Sequence, residues 1–495
     1  MKDKIIFLVS VLFLFIGTAC SSEDGSEPDP TPQPPEEKSD VVVYVTTADE
    51  TRLFDSVSVS FNTAESMSPR TITLDPTVTY QEMEGFGAAI TGSTCCNLLK
   101  MSAENRSKLL KETFDPDGGM GYSYIRISLG CSDFSLGEYT YCDEKGLENF
   151  ALHAYDKRDV IPVLKEILAI NPELKIMASP WTCPLWMKVN DLIDKKPHNS
   201  WKGGRLDPGY YNDYAMYFVK YIQAMNEEGI DITSITIQNE PLNKGNSASL
   251  YMTWEEQRDF IKGHLGPAFQ AADIRTKIIV YDHNYNYDNI AGQEAYPLRI
   301  YADAEASRYI DGAAFHAYGG NKNEMLNIHN ANPGKGLYFT EISIGEWGSG
   351  YSFADDLMWN MREVGIGTVN NYCKAVMVWN FMLDNNHGPN RPGGCNTCLG
   401  AVTVNSSYSG VKKNSHYYTM GHLSKVIKPG AKRIKVTGYI AAGWYYAAFK
   451  NPDNSFSVVM QNDTQEAVNI TVASGSNSFS FHVPEKSIVS YIWKQ

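Results

Sequence analysis

The stretch SITIQNEPL, residues 234–242, decides the fold. Ser234-Ile-Thr-Ile reads as a buried strand, yet the run closes on a carboxylate, Glu240, between Asn239 and Pro241. A carboxylate at a buried strand end is costly unless it is paired or used. Pro241 cannot continue a ladder, so the strand stops there. Glu240 is therefore held at a rim, on a rigid element. That is where the working residues of a parallel α/β barrel sit.

Working outward, the same kind of segment recurs. From Glu84 onward short apolar strands alternate with longer amphipathic segments: MEGFGAAI, SYIRISLG, KIMASPW, SITIQNE, KIIVYDH, DGAAFHAY, GLYFTEIS and AVMVWNF. Between them, Tyr214, Phe218, Ile222 and Met225 recur at helical spacing and stop at Gly229, a good cap. Val160, Leu164 and Ile167 do the same before Asn171-Pro172. Eight strands with helical crossovers predict a (β/α)8 TIM barrel over residues 81–414. Beyond about Ser415 the helical period fades. RIKVTG, WYYAAFK, SFSVVMQ, VNITVAS and SFSFHV follow at short spacing, the pattern of an antiparallel β-sandwich. The early strands VVVYVTT and TITLDP need a sheet to join. The sandwich is thus expected from both chain ends, 41–80 plus 415–495, as a partner that covers barrel surface.

The first forty residues have another character. MKDK precedes an apolar run, Ile5 to Gly17, and then Thr18-Ala19-Cys20. The run is too short to span a bilayer and has the layout of a signal peptide. Small residues before a cysteine resemble a bacterial lipobox, which makes Cys20 the expected lipidation site and 1–20 a lipoprotein signal. The polar, acidic, Pro-rich segment 21–40 is expected to be a disordered tether. Together they imply an outer-membrane lipoprotein exposed at the cell surface; separately, the chain is expected to act as a monomer. A formal charge of −14 argues against nucleic acid or anionic membrane surfaces as partners. Eight cysteines follow Cys20, too few in a chain this long for a disulfide-built fold. The pair in CNTC, Cys395 and Cys398, has no second such pair to make a zinc site. A local disulfide and free thiols both remain open for it.

Nearly every barrel strand ends in something polar or aromatic. Arg126 and Asp133 follow the second, Trp181 the third, Asn239 and Glu240 the fourth. Asp282 and His283 follow the fifth, His316 and Tyr318 the sixth, Glu341 the seventh, Trp379 and Asn380 the eighth. Strands four and seven face each other across a barrel mouth. Two carboxyls opposed over a cleft suit glycoside hydrolysis, one protonating the leaving oxygen while the other attacks the anomeric carbon or activates water. Their surroundings must split their proton affinities. No metal or cofactor is needed, so Asp282, His283 and His387 are expected to shape the cleft.

The motifs EGFGAAITGS, YIRISLGCSDFS, ASPWTCPLWMK, IQNEPL, FHAYGG, YFTEISIGEWG and VWNFMLDNNHGPN occur in order between Glu84 and Asn390. They resemble glycoside hydrolase family 30, in the retaining clan that includes glucosylceramidases. That resemblance implies Glu240 as general acid/base and Glu341 as nucleophile. It implies Asn239 as the amide on the sugar 2-hydroxyl and Asp133 as a carboxylate on other sugar hydroxyls. Trp181 and Trp379 would be aromatic walls. His316 and Tyr318 would flank the nucleophile, Tyr318 on the substrate and His316 with Arg126 as supports. The wording GFGAAITGSTCCNL is closer to the β-1,6-glucanase branch, and a tethered enzyme suits a polymer too large to import. An endo-acting β-1,6-glucanase is the expectation. An exo-acting β-glucosidase, a β-1,6-galactanase, a xylanase and a surface glycan-binding protein stand as rivals. Trp186, Trp201 and Trp347 are candidates for further stacking subsites.

Overall fold

The computed structural model describes residues 40–62 and 68–494. Cys20 and all of the 21–40 tether except Asp40 lie outside the described residues.

Eight parallel strands form the central sheet: Gly85–Ala88, Tyr124–Leu129, Lys175–Pro180, Ser234–Thr236, Lys277–Asn284, Ile310–His316, Gly336–Glu341 and Cys373–Val378. Each falls on one of the eight apolar runs. The first pairs with the eighth, and the barrel closes between the first and second. There Ser123 N–H donates to Phe86 O and Ile90 N–H to Arg126 O, at 2.9 and 2.8 Å. Inside, Tyr124, Met177, Ile279, Ala314, Tyr338, Ala375 and Met377 pack into a filled core, so the barrel is solid and only its mouth is open to chemistry. Glu84 lies at the start of the first strand, opposite the mouth, where Lys277 and Lys374 lie 2.7 and 2.9 Å away. They hold its carboxyl down to about 2 against the burial that pushes it up.

The helix over Tyr211–Glu227 buries Tyr214, Phe218, Ile222 and Met225 and ends before Gly229, whose φ of +77° needs a residue without a Cβ. The helix over Ile161–Ile170 ends at Asn171.

The second body is a nine-stranded sheet. Its order is Leu53–Val59, Val41–Thr47, Ser487–Trp493, Phe456–Asn462, Trp444–Lys450, Lys432–Gly438, Thr71–Glu82, Val468–Ser474, Asn477–Val483. Strands from both chain ends interleave, Val41 opposite Trp493. The sheet is antiparallel except where Thr71–Glu82 runs parallel to Val468–Ser474. Successive strand residues face opposite ways. Val458 and Met460 enter the sandwich core with Tyr491 and Trp493, while Val459, Phe449 and Ile488 join the barrel's core.

One expectation fails. The helical period does not end near Ser415: Ser415–Val426 is a helix, and Lys425 is its sole residue not buried. A helix buried on every side shows no polar stripe, so periodicity cannot reveal it. It packs between the bodies. His422 is bonded through Nδ1 to Ser490 Oγ and through Nε2 to Thr46 Oγ1, both at 2.8 Å.

Candidate active site

Strand four pairs only over Ser234–Thr236. Ile235 and Ile237 are fully buried and fix the strand. Beyond them the chain leaves the ladder. Asn239 N–H donates to Pro180 O at 2.8 Å and Glu240 N–H to Asp282 O at 3.0 Å. Glu240 has φ +46°, a left-handed conformation that costs a side-chain-bearing residue roughly 1–2 kcal/mol. Such strain persists where surrounding contacts over-determine it, often at working sites.

Arg126, fully buried on strand two, organises the mouth. Its Nη1 donates to Glu341 Oε2 at 2.7 Å, and Nη2 donates to Asn239 Oδ1 and Asp282 Oδ2, each at 2.7 Å. Nε donates to Ser179 Oγ at 3.1 Å. The guanidinium carbon lies 5.0 Å from the Trp181 ring centre and 5.6 Å from that of Trp379. Using Asn239 Oδ1 in this way leaves its NH2 to donate to a ligand. Asp282, also fully buried, accepts from Thr236 at 2.7 Å and Thr340 at 2.6 Å. His316 Nε2 lies 3.0 Å from its Oδ1, and His316 Nδ1 lies 3.2 Å from Glu240 Oε1. Tyr318 OH donates to Glu341 Oε1 at 3.2 Å. Asn243 Nδ2 donates to Glu240 Oε2 at 2.8 Å.

One carboxyl oxygen of Glu240, one of Glu341 and a ring nitrogen of His316 lie within 4.8 Å of one another. Such a trio could ligate a divalent ion. The Arg126 guanidinium already in contact with Glu341 supplies the positive charge there and would repel one.

Burial pushes Glu240 up, but His283, His316 and the Asn243 amide overcome it and hold its carboxyl down to about 2. Burial raises Glu341, with Glu240 adding to the rise while His316 and Arg126 oppose it. Burial lowers His316, yet Glu341, Asp282 and Glu240 raise it to about 9. These groups titrate as a cluster. His316 Nδ1 and Glu240 Oε1, 3.2 Å apart, can hold one proton between them in two ways. With the proton on His316, Glu240 is a low-affinity carboxylate. With the proton on Glu240, neutral His316 keeps Nε2–H on Asp282 and accepts at Nδ1. The second arrangement leaves Glu341 ionised against Arg126 and Glu240 ready to donate.

The mouth opens into a cleft of about 400 Å³ lined by Asp133, Glu240, Tyr318, Glu341, Trp347 and Trp379, among others. Asp133 is pushed up to about 8 by burial and by the charges of Glu341 and Glu240, and its buried Oδ1 has no protein partner. It is poised to exchange hydrogen bonds with an entering hydroxyl. Trp379 faces the cleft. Trp181 does not line it: at 1% exposure it lies stacked on Trp379, ring centres 5.2 Å apart, and supports that wall from behind. Trp347 is 47% exposed at the rim. Trp186 and Trp201 are half-buried against the core outside the lining. Trp186 Nε1 donates to Cys142 O at 2.8 Å. Cys395 and Cys398 form a disulfide, and both sulfurs' residues line the cleft. Cys398 and Leu399 pair with Gly345 and Ile344, just beyond the nucleophile position and before Trp347.

Sequence reasoning brought Arg126, Asp133, Asn239, Glu240, His316, Tyr318, Glu341 and Trp379 to one mouth. It missed Asp282 as the hub. Neighbours on a strand point to opposite faces, but the register shifts between Tyr281 and His283, and Asp282 has φ +77°. That bulge aims both Asp282 and His283 inward. His387, named with them, caps the disulfide loop through Nδ1, 3.1 Å from Cys398 O.

Comparison with known proteins agrees with this geometry. The glycosyl hydrolase family 30 TIM-barrel model matches residues 83–427, and the family's β-sandwich model matches 430–491. The endo-1,6-β-D-glucanase neg1 of Aspergillus fumigatus is 32% identical over 433 residues, 83% of this chain and 85% of that one. The lysosomal acid glucosylceramidase of Mus musculus is 28% identical over 455 residues, 86% and 83% of the two chains. The solved structure of the endo-β1,6-glucanase BT3312 superposes with a TM-score of 0.91 at 57% identity, covering 92% of this chain and 99% of that one. The chain belongs to glycosyl hydrolase family 30, and it is a glycoside hydrolase.

Proposed function

We propose that the protein is an endo-acting β-1,6-glucanase that works with retention of configuration. The observation that carries the retaining part is the approach of Glu240 and Glu341, with carboxyl oxygens within 4.8 Å. Retaining enzymes hold the pair about 5–5.5 Å apart, whereas inverting enzymes leave roughly 6.5–9.5 Å for water. The linkage is supported by the endo-1,6-β-D-glucanases among the relatives and by the 57% identity with a solved one.

In the first step Glu341 attacks the anomeric carbon. The C1–O bond breaks, and the leaving oxygen takes the proton from Glu240. Arg126 and Tyr318 hold Glu341 in line. Asn239 donates to the 2-hydroxyl, a bond that strengthens as the ring becomes oxocarbenium-like. In the second step Glu240 removes a proton from water, the water oxygen bonds to C1, and Glu341 leaves. Glu240 ends protonated, as it began. Asp133 holds further hydroxyls, and Trp379 packs on the sugar face.

Product analysis on linear β-1,6-glucan tests the reading, with Glu341→Gln as the blank. A falling ladder of oligosaccharides is expected. Glucose alone from the outset would replace endo by exo action, and no product would redirect the linkage to xylan, galactan or glucosides. NMR of the first-formed anomer is expected to show β; α would refute the double displacement. The signal and tether of residues 1–40 support a lipoprotein anchored through Cys20. Metabolic labelling with palmitate should be lost in Cys20→Ala.

A further inference from the structure

His283 and Asp288 line the cleft and have no part in the two steps above. His283 is 1% exposed. Its Nε2 lies 3.2 Å from Asp288 Oδ2 and 3.9 Å from Glu240 Oε1, while its Nδ1 is buried with no partner. A buried lone pair left unmatched is cheaper than a buried N–H, so the neutral ring carries its proton on Nε2 and donates it to Asp288. The chain goes to some length to put Asp288 there. Tyr287, Asp288 and Asn289 have φ of +54°, +50° and +54°. Three successive left-handed residues without a glycine are disfavoured, and strain of this kind gathers at working sites. The turn is pinned from all sides. Asn284 Nδ2 donates to Asp288 Oδ1 at 2.8 Å, Asn286 Oδ1 accepts from Asp288 N–H at 3.2 Å, and Tyr287 OH donates to Glu324 at 2.7 Å.

We propose that Asp288 is a positioning residue that holds the His283 N–H off Glu240 and so raises the acid's hold on its proton. The inference rests on the assignment of Glu240 as the acid. Asp288 acts in two ways. It draws the Nε2–H away from Glu240, where that N–H would otherwise stabilise the ionised carboxylate. It also adds a negative charge on the far side of the ring, which disfavours a second one on Glu240. The other groups facing His283 and Glu240 are His316, Asp282, Glu341, Asp133, Tyr281, Tyr318 and the amides of Asn243 and Asn246. Of these, His316 meets Glu240 through Nδ1 and Asp282 through Nε2, and the Asp288–His283 pair is the second side of the acid.

The test is the pH profile of kcat/KM for Asp288→Asn and His283→Phe. Two substrates are compared: linear β-1,6-glucan, whose leaving oxygen needs a proton, and dinitrophenyl β-gentiobioside, whose leaving group does not. On the glucan, the alkaline limb of Asp288→Asn should move down by about half a unit to one unit, with the aryl substrate's profile unchanged in its first step. Asp288→Glu should restore part of the shift. An unmoved limb, or equal losses on both substrates, overturns the proposal. If Asp288→Asn does not fold, His283→Phe, which removes the N–H and keeps Asp288, decides: its alkaline limb on the glucan should move up, and an unmoved or lowered limb overturns the proposal. Failure of the underlying assignment reads differently: Glu240→Gln would then keep wild-type turnover of the glucan.

Discussion

Asp282→Asn changes one atom in the most connected side chain of the mouth. Oδ1 of Asp282 faces His316 Nε2 and Thr340 Oγ1, and Oδ2 faces Arg126 Nη2 and Thr236 Oγ1. Either hydroxyl can rotate to suit an amide, but the other two partners cannot both do so. An NH2 on the Arg126 side meets an N–H that is always a donor. The amide therefore turns its NH2 to His316, whose Nε2 must become an acceptor. The ring proton moves to Nδ1 and donates to Glu240 Oε1, 3.2 Å away, so Glu240 is held ionised and loses its role as acid. Loss of general acid catalysis costs about 10²–10⁴-fold. That is the expected fall in kcat on β-1,6-glucan, with a much smaller fall on a dinitrophenyl glycoside. Stability falls too. Removing one partner of a buried ion pair costs about 3–5 kcal/mol. At ~2.1 cal/mol/K per residue over roughly 450 residues, this lowers the melting midpoint by about 3–5 °C. Asp282 is held well below the usual carboxylate range, where the pull of Arg126 and His316 outweighs burial. Its stabilisation is therefore complete above the unfolded value near pH 4 and is lost only as pH falls toward the folded one. The deficit of the mutant should be full at pH 7 and at pH 5. A wild-type midpoint, or equal losses on both substrates, would refute the hub.

Three further outcomes follow from the same geometry. Glu240→Ala should retain the first step on dinitrophenyl β-gentiobioside and regain turnover with azide, giving a β-glycosyl azide by NMR; no rescue would count against the assignment. Asp133 has a folded value near 8, above its unfolded one, so the stability its proton lends is complete below about pH 4 and lost as pH rises through 8. Asp133→Asn should therefore gain about 2–5 °C in midpoint on wild type between pH 4.5 and pH 8.5, while losing activity at both; calorimetry at the two values decides. His416 and His422 are lowered to about 3 by burial, so the stability of their neutral forms is full above about pH 6.5 and lost as pH falls, at ~1.4 kcal/mol per unit for each. His422→Asn should cost stability at pH 7.5, with the gap to wild type closing by pH 5 in thermal melts.

How far the sequence reaches depends on what each element shows to solvent. The eight barrel strands were legible because each is a short buried run set off by helical periods. Strands four and seven placed their glutamates at one mouth because strand ends in such a barrel share a face. Helix Ser415–Val426 was not legible, since burial all round erases the pattern that marks a helix. Asp282 was named but not weighed, because a bulge that turns two neighbouring residues inward has no signature in residue types. Trp181 was expected as a wall and stands behind one. Its stacking on Trp379 is a matter of depth, which strand position does not encode. The Cys395–Cys398 bridge was one of two open readings. Its place at the cleft depends on a long loop returning to pair with Ile344–Gly345.

The interleaved sheet also sets a schedule. Strand Val41–Thr47 leaves the ribosome first among the described strands, and its neighbour Ser487–Trp493 follows roughly 440 residues later. At about 5–20 residues per second, that is a wait of roughly twenty seconds to a minute and a half. Throughout it, the early strand presents an unpaired edge rich in valine, open to the wrong neighbour. A chain cut short before Ser487 would carry every residue of the cleft and still lack the strand that seals both bodies, since Ile488 packs with the barrel and Val489 with the sandwich. Completion of synthesis is thereby built into the architecture as a checkpoint, and a truncated product should be marked for proteolysis by that open edge.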